Sequence, residues 1–251
     1  MSLADMTRYP ITMDGETVRI GTANELAMAL DVLQGQRDRE TLVQLRPHLA
    51  RIVAHAKGLM TVMRALAIDD QIYLIEAIGP GLVQVMQDAA HLRDLLATIA
   101  DMRVEEALLR TLGTTGLRHL ILSAQELAEV LEWVYDQCDS LLLELLGLDS
   151  VRRLCRHASD LSAILRSLDH ERQQELVGQL GWTFVANLVC DGRDLAYLLR
   201  ALPPASSERL LRQYTRQQLT ELIGNARDWT YLCQRLEPAE ADFLYSLLGV
   251  S

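Results

Sequence analysis

From residue 22 to the C-terminus, apolar residues fall in columns that return every 33–35 residues. One column reads Leu26, Leu59, Leu92, Leu127, Leu161, Leu195 and Trp229. Seven residues further on a second reads Leu33, Leu66, Ile99, Val134, Leu168, Leu202 and Leu236. With apolar residues three and four places after the first column, such as Leu198 and Leu199, this is the i, i+3, i+4, i+7 stripe of an amphipathic helix.

Each stripe opens on a short polar motif: "TANEL" at 22, then starts at 55, 88, 123, 157, 191 and 225, separated by 33, 33, 35, 34, 34 and 34 residues. The opening residues are Thr22, His55, Asp88, Ser123, His157, Asp191 and Asn225. Five of these seven are preferred N-caps, whose side-chain oxygen accepts a bond from a free amide of the first turn. Thr22 with Glu25 and Ser123 with Glu126 fit the reciprocal capping box, and His55 and His157 read as helix-entry residues rather than ligands. The next column, Ala23, Ala56, Ala89, Ala124, Ala158, Gly192 and Ala226, predicts close approach of a neighbouring backbone.

A break follows, clearest at Pro203-Pro204 and Pro238, where proline stops one helix and starts the next. The second helix carries Leu74, Leu108, Leu142, Leu176, Leu210 and Leu244, each 34 residues after the last. It runs into Gly79, Gly113, Gly147, Gly181 and Gly249, which read as C-terminal residues in the left-handed conformation. The acidic residues Asp69-Asp70, Glu105-Glu106 and Asp139 stand near the starts of second helices, where the helix dipole explains them. A short third helix, such as 217–223, leads into the next cap.

Residues 11–20 alternate around Asp14-Gly15, a strong hairpin signal. The expected architecture is therefore all-α: a right-handed α-solenoid of about seven 33–35-residue units over 22–251, each of two helices plus a short third, behind an N-terminal segment 1–21 with a small β-hairpin. The last unit lacks its third helix. Either it is the natural cap, or the sequence is a piece of a longer protein.

This unit resembles the helical tandem repeats grouped as α-solenoids, among them tetratricopeptide, HEAT, armadillo and Pumilio arrays, over roughly residues 22–251. The tetratricopeptide residue pattern is absent although its period matches. The paired base-reading residues of transcription-activator-like repeats are not visible. Arginine-rich, lysine-poor leucine repeats are also similar to arrays in effector proteins of host-associated bacteria. The resemblance implies an architecture and no particular activity.

Composition narrows the function. Apolar residues make up 49% of the 251, enough for a packed interior, and mean hydropathy is +0.07. Net charge is −10 and Lys57 is the only lysine, which disfavours a large phosphate-binding face. Charges interrupt every apolar stretch before the length of a membrane span, and no signal-peptide plan opens the chain, so a cytoplasmic protein is expected, delivered to a host cell if it is an effector. Cys138, Cys155, Cys190 and Cys233 lack metal-site spacing and read as buried or partly buried free thiols. No two of the six histidines are three or four apart, and no nucleotide-binding, hydrolase or metalloprotease motif occurs. The expectation is a non-enzymatic chain with no cofactor and no metal.

The remaining lead is positional. Two residues after the leucine column come Met28, Thr61, Asp94, Glu129, Ala163, Tyr197 and Tyr231, and five after it come Asp31, Arg64, Ala97, Glu132, Arg166, Arg200 and Gln234. Both columns lie off the leucine stripe and should form exposed strips. Tyr and Arg dominate binding hot spots, so Tyr197, Tyr231, Arg166 and Arg200 are the candidate partner-binding residues, for a peptide or helix of another protein. The competing reading is that the rings fill gaps between helices and the arginines pair with acids; Trp229 belongs to the core. Repeat-type nucleic-acid binding, Pumilio- or activator-like, is the second reading, and a HEAT-like DNA glycosylase the third.

Overall fold

The computed structural model describes residues 8–13, 16–33, 36–224, 226–234, 236 and 238–249. These are mostly helical, with one small antiparallel sheet at the N-terminus. Strands β1 (Tyr9–Met13) and β2 (Glu16–Ile20) pair with Tyr9 opposite Ile20 and Ile11 opposite Val18. The hairpin thus begins two residues before the expected segment, and its Asp14-Gly15 turn lies outside the described residues. Alternation buries Ile11 and Ile20 on one face, and Tyr9 stacks on His48 with ring centroids 3.8 Å apart.

The chain divides into two compact units, residues 1–121 with 133–145, and 122–132 with 146–251. The first holds α1 (Ala23–Leu33), α2 (Gln36–Leu45), α3 (Leu49–Val53), α4 (Ala56–Arg64), α5 (Ile68–Ile78), α6 (Leu82–Met86), α7 (Ala89–Leu96) and α8 (Met102–Leu120), the last bent at Gly113. After α9 (Ala124–Leu131) of the second unit, nearly all of α10 (Asp136–Leu146) belongs to the first. The second unit continues with α11 (Leu148–Leu154), α12 (Ala158–Arg166), α13 (His170–Leu180), α14 (Trp182–Asn187), α15 (Gly192–Ala201), α16 (Pro204–Leu211), α17 (Arg216–Leu222), α18 (Ala226–Cys233) and α19 (Pro238–Leu248).

Within the first unit α1 packs on α4 and α4 on α7, while α2 packs on α5 and α5 on α8. Within the second, α9 packs on α12, α12 on α15 and α15 on α18, and α16 packs on α19. The residues that meet there are the leucine columns: Leu26, Leu59, Leu92, Leu127, Leu161 and Leu195 are sealed from solvent, as are Leu74, Leu108, Leu142 and Leu210. Each such side chain contributes about 1.5–3 kcal/mol over an exposed one.

Capping fixes where these helices start. The amides of Glu25 and Glu126 donate to the hydroxyls of Thr22 and Ser123 at 3.2 Å, and the two glutamates accept from backbone amides just ahead of their helices. Asp88 accepts from the His91 amide at 2.9 Å, and Asp191 from those of Arg193 and Asp194. His55 caps with Nδ1, 3.0 Å from the Gly58 amide. Gly58 stands where other segments carry an acid because a Cβ there would collide with the Val53 carbonyl.

At the second-helix ends φ is positive as expected, between 55° and 84° at Gly79, Gly113, Gly147 and Gly181. The left-handed helical assignment needs correction, however. Their ψ values are −134°, −173°, 143° and 136°, a region open essentially to glycine alone, which swings the chain sharply instead of continuing a left-handed turn.

The 33-residue spacings have a local cause. Only Ala54 separates α3 from the His55 cap, and only Gln87 separates α6 from Asp88. Each adopts positive φ (55° and 66°) and is the centre of a γ-turn, closed by the His55 amide donating to the Val53 carbonyl and the Asp88 amide to the Met86 carbonyl. With one residue more, Cys155 and Arg156 make the same passage and Cys155 keeps φ at −82°.

Asp69, Asp70, Glu105 and Asp139 stand in first turns as expected, but Glu105 and Asp139 are also buried, which the dipole reading does not account for. Asp38, Gln71, Glu105, Asp139, Gln173 and Ser207 form a polar column at 33- and 34-residue spacing, and all but the half-buried Gln71 are buried. Gln173 Nε2 donates to the carbonyls of Leu165 and Leu168 at 2.8 and 3.0 Å, and Gln71 Nε2 to those of Met63 and Leu66, both at 3.0 Å. The Ser207 hydroxyl donates to the Leu199 carbonyl. These side chains donate to carbonyls at the end of the first helix, adding to the backbone amides that the Met63 and Leu165 carbonyls already accept. Glu105 is sealed from solvent and accepts from the Tyr135 amide at 3.0 Å, a bond that no dipole argument anticipates.

Candidate functional site

The four candidate residues all belong to the second unit: Arg166 on α12, Tyr197 and Arg200 on α15, and Tyr231 on α18. These three helices pack side by side in that order, each burying its leucines and turning other columns outward. Tyr197 is 38% exposed, Arg166 and Arg200 are exposed, and Tyr231 is half-buried.

The two rings touch. Tyr197 and Tyr231 lie edge to face, with centroids 6.4 Å apart and planes at 67°, a geometry in which the positive edge of one ring meets the negative face of the other. Tyr197 stays partly in solvent. Neither Arg166 nor Arg200 stands within ion-pair distance of a described carboxylate. Elsewhere arginines do pair, as Arg172 does with Glu175 and Arg212 with Glu208.

Ser162 binds this surface together, and the sequence pattern did not single it out. It is buried on α12, its hydroxyl donates to the Tyr197 carbonyl at 3.0 Å, and its own carbonyl accepts from Arg166 Nε at 3.2 Å. One small residue thus holds α12 close to α15 and orients the Arg166 stem. Its signal was faint: it falls in the column of Ala27, Ala128 and Ala196, where a small side chain already marks close approach.

The neighbouring helix completes the electrostatic picture. Glu129 on α9 and Glu132 at its C-cap occupy the columns that Ala163 and Arg166 occupy on α12. Across the face the charge therefore changes from acidic at α9 to cationic and aromatic from α12 to α18. Trp229, expected in the core, is half-buried and meets Tyr245 edge to face at 5.4 Å.

Two pockets lie elsewhere. One of about 390 Å³ in the second unit is lined by Ala186, Cys190, Tyr214 and Glu221, among others. The Tyr214 hydroxyl is spent on the Ala186 carbonyl at 2.9 Å, and burial pushes this phenol well up. Another of about 430 Å³ in the first unit lies between the starts of α1 and α4, beside Arg51 and Lys57. Its capping groups Thr22 and His55 are already engaged by backbone amides.

Of the thiols, Cys138 and Cys155 are free and buried. Burial, with the Glu105 charge added at Cys138 and that of Asp160 at Cys155, pushes both up to about 12. Cys190 is exposed, against expectation, and the Cys233 side chain lies outside the described residues. Among the described residues no three His, Cys, Asp or Glu side chains gather as a metal site, and no helix is long and apolar enough to cross a membrane. Comparison with known proteins gives no match to a family model, to a curated protein or to a solved structure, so functional inference rests on the residues themselves.

Proposed function

We propose that this protein is a non-enzymatic scaffold whose α12–α15–α18 face binds a peptide or helix of another protein. In this reading seven segments, starting near 22, 55, 88, 123, 157, 191 and 225, stack in sequence order as an α-solenoid. Two features support the array: in each unit first helices pack on first helices one spacing away, and the leucines at the same spacing are buried together.

The observation that carries the binding surface is the Tyr197–Tyr231 pair, partly solvated and flanked by two arginines without acid partners. Such rings and guanidinium groups present large contact area with directional polar groups, and the exposed Arg166 and Arg200, with no described acid in reach, are available to an external one.

A photo-crosslinking residue at Tyr197, compared with one at the exposed Gln179 on α13, tests this in native extract. The expected result is a discrete protein adduct from position 197 only. Adducts to nucleic acid, or equal labelling from both positions, would refute it.

A further inference from the structure

We infer that the partner segment is acidic: a stretch carrying at least two carboxylates and one aromatic or large aliphatic side chain. This rests on the α12–α15–α18 face being a protein-binding surface, and charge complementarity supplies the rest.

Arg166 and Arg200 occupy the same column on adjacent packed helices, whose axes lie on the order of 8–10 Å apart, so the two side chains spring from points about one helix spacing from each other. Arg166 spends its Nε on the Ser162 carbonyl, leaving the two terminal nitrogens of a planar fork, a geometry suited to a carboxylate. No described carboxylate reaches Arg200. The same strip offers the edge-to-face pair of Tyr197 and Tyr231, an apolar platform next to the cations.

Glu129 on α9 and Glu132 at its C-cap bound the strip on one side. Their charge repels an acidic ligand there and so confines it to α12–α18, which gives the surface a direction as well as a sign. An extended chain covers the interval between the arginines in about three residues and a helix in about six or seven. The nucleic-acid alternative supplies anions too. It is disfavoured by the net charge of −10 and by the scarcity of lysine, since phosphate affinity comes from many cations acting together.

The test pans a displayed library of random peptides, roughly 12 residues long to span both arginines, against the intact chain, the Arg166→Ser/Arg200→Ser chain and the Tyr197→Ala chain. Circular dichroism first establishes that the variants fold. Peptides selected on the parent chain are expected to be enriched in Asp and Glu around an aromatic or leucine. Their affinity should fall at least tenfold on the arginine variant, fall on the tyrosine variant, and weaken as salt rises. Selected peptides that need Tyr197 but carry no acidic enrichment would overturn the acidic partner and leave the binding surface standing. Peptides indifferent to Tyr197 would overturn the surface itself. A poly-uridylate oligomer that binds through Arg166 and Arg200 more tightly than any selected peptide would also overturn it, in favour of nucleic acid.

Discussion

Replacing Gln173 by Leu tests whether the buried polar column holds first-helix ends in place. Gln173 is 6% exposed, and its amide donates to the Leu165 and Leu168 carbonyls at 2.8 and 3.0 Å. Leucine preserves the volume but removes both donors: the Leu165 carbonyl keeps the Leu168 amide at 3.1 Å, while the Leu168 carbonyl loses its donor where water does not reach. A buried acceptor left without its donor costs about 1–3 kcal/mol, and the second bond lost from the Leu165 carbonyl adds about 0.5–1.5 kcal/mol. Two terms reduce that sum. Gln173 Oε1 has no hydrogen-bond partner of its own, so its removal returns on the order of 1 kcal/mol, and the new leucine buries more apolar surface. The net expectation is a loss of about 1–2 kcal/mol. Urea unfolding followed by far-ultraviolet circular dichroism reads it, with the exposed Gln179→Leu as a control expected within about 0.5 kcal/mol of the parent. If Gln173→Leu is as mild as its control, the column is not what closes the helix end.

Other expectations follow from neighbouring features. Ala54→Gly should stabilise by about 0.5–1 kcal/mol, because relief at positive φ outweighs the chain entropy glycine adds, whereas Ala50→Gly inside α3 should destabilise; thermal midpoints of the two variants decide. Burial raises the Glu105 carboxyl, partly opposed by the Tyr135 amide, so the folded chain holds this proton where the unfolded chain has released it. Stability should therefore fall as pH climbs from the unfolded carboxyl range through the raised folded value, and Glu105→Gln should remove that fall. The midpoint of the variant relative to the parent should rise between about pH 4 and about pH 8; a constant difference would contradict the assignment. In a Cys233→Ser background, Cys190 should react with maleimide in the native protein, while Cys138 and Cys155 react only on unfolding, as intact-mass measurement at successive denaturant steps would reveal.

Helix starts were legible because capping is local: Ser123 and Glu126 stand three residues apart in sequence and complete their bonds within one turn. The leucine columns were legible because burial repeats with the spacing. The polar column was equally present in the letters but changes chemistry from acid to amide to hydroxyl, so Glu105 and Asp139 read as dipole partners until their burial was seen. At the candidate site, column position located Tyr197 and Arg200 on an outward face. The ring contact with Tyr231 and the Ser162 tie depend on how closely α12, α15 and α18 approach, which a single chain's pattern does not encode.

The side chains of Gln71 and Gln173 close their hydrogen bonds on carbonyls only five and eight residues earlier, whereas the leucines beside them meet helices a full spacing away. These helix-end carbonyls are thus served inside one helical hairpin, and the leucines are covered between hairpins. A chain severed between hairpins would bare oil-like surface without orphaning those backbone oxygens, and a fresh end of that kind favours re-association with a matching edge over local unravelling.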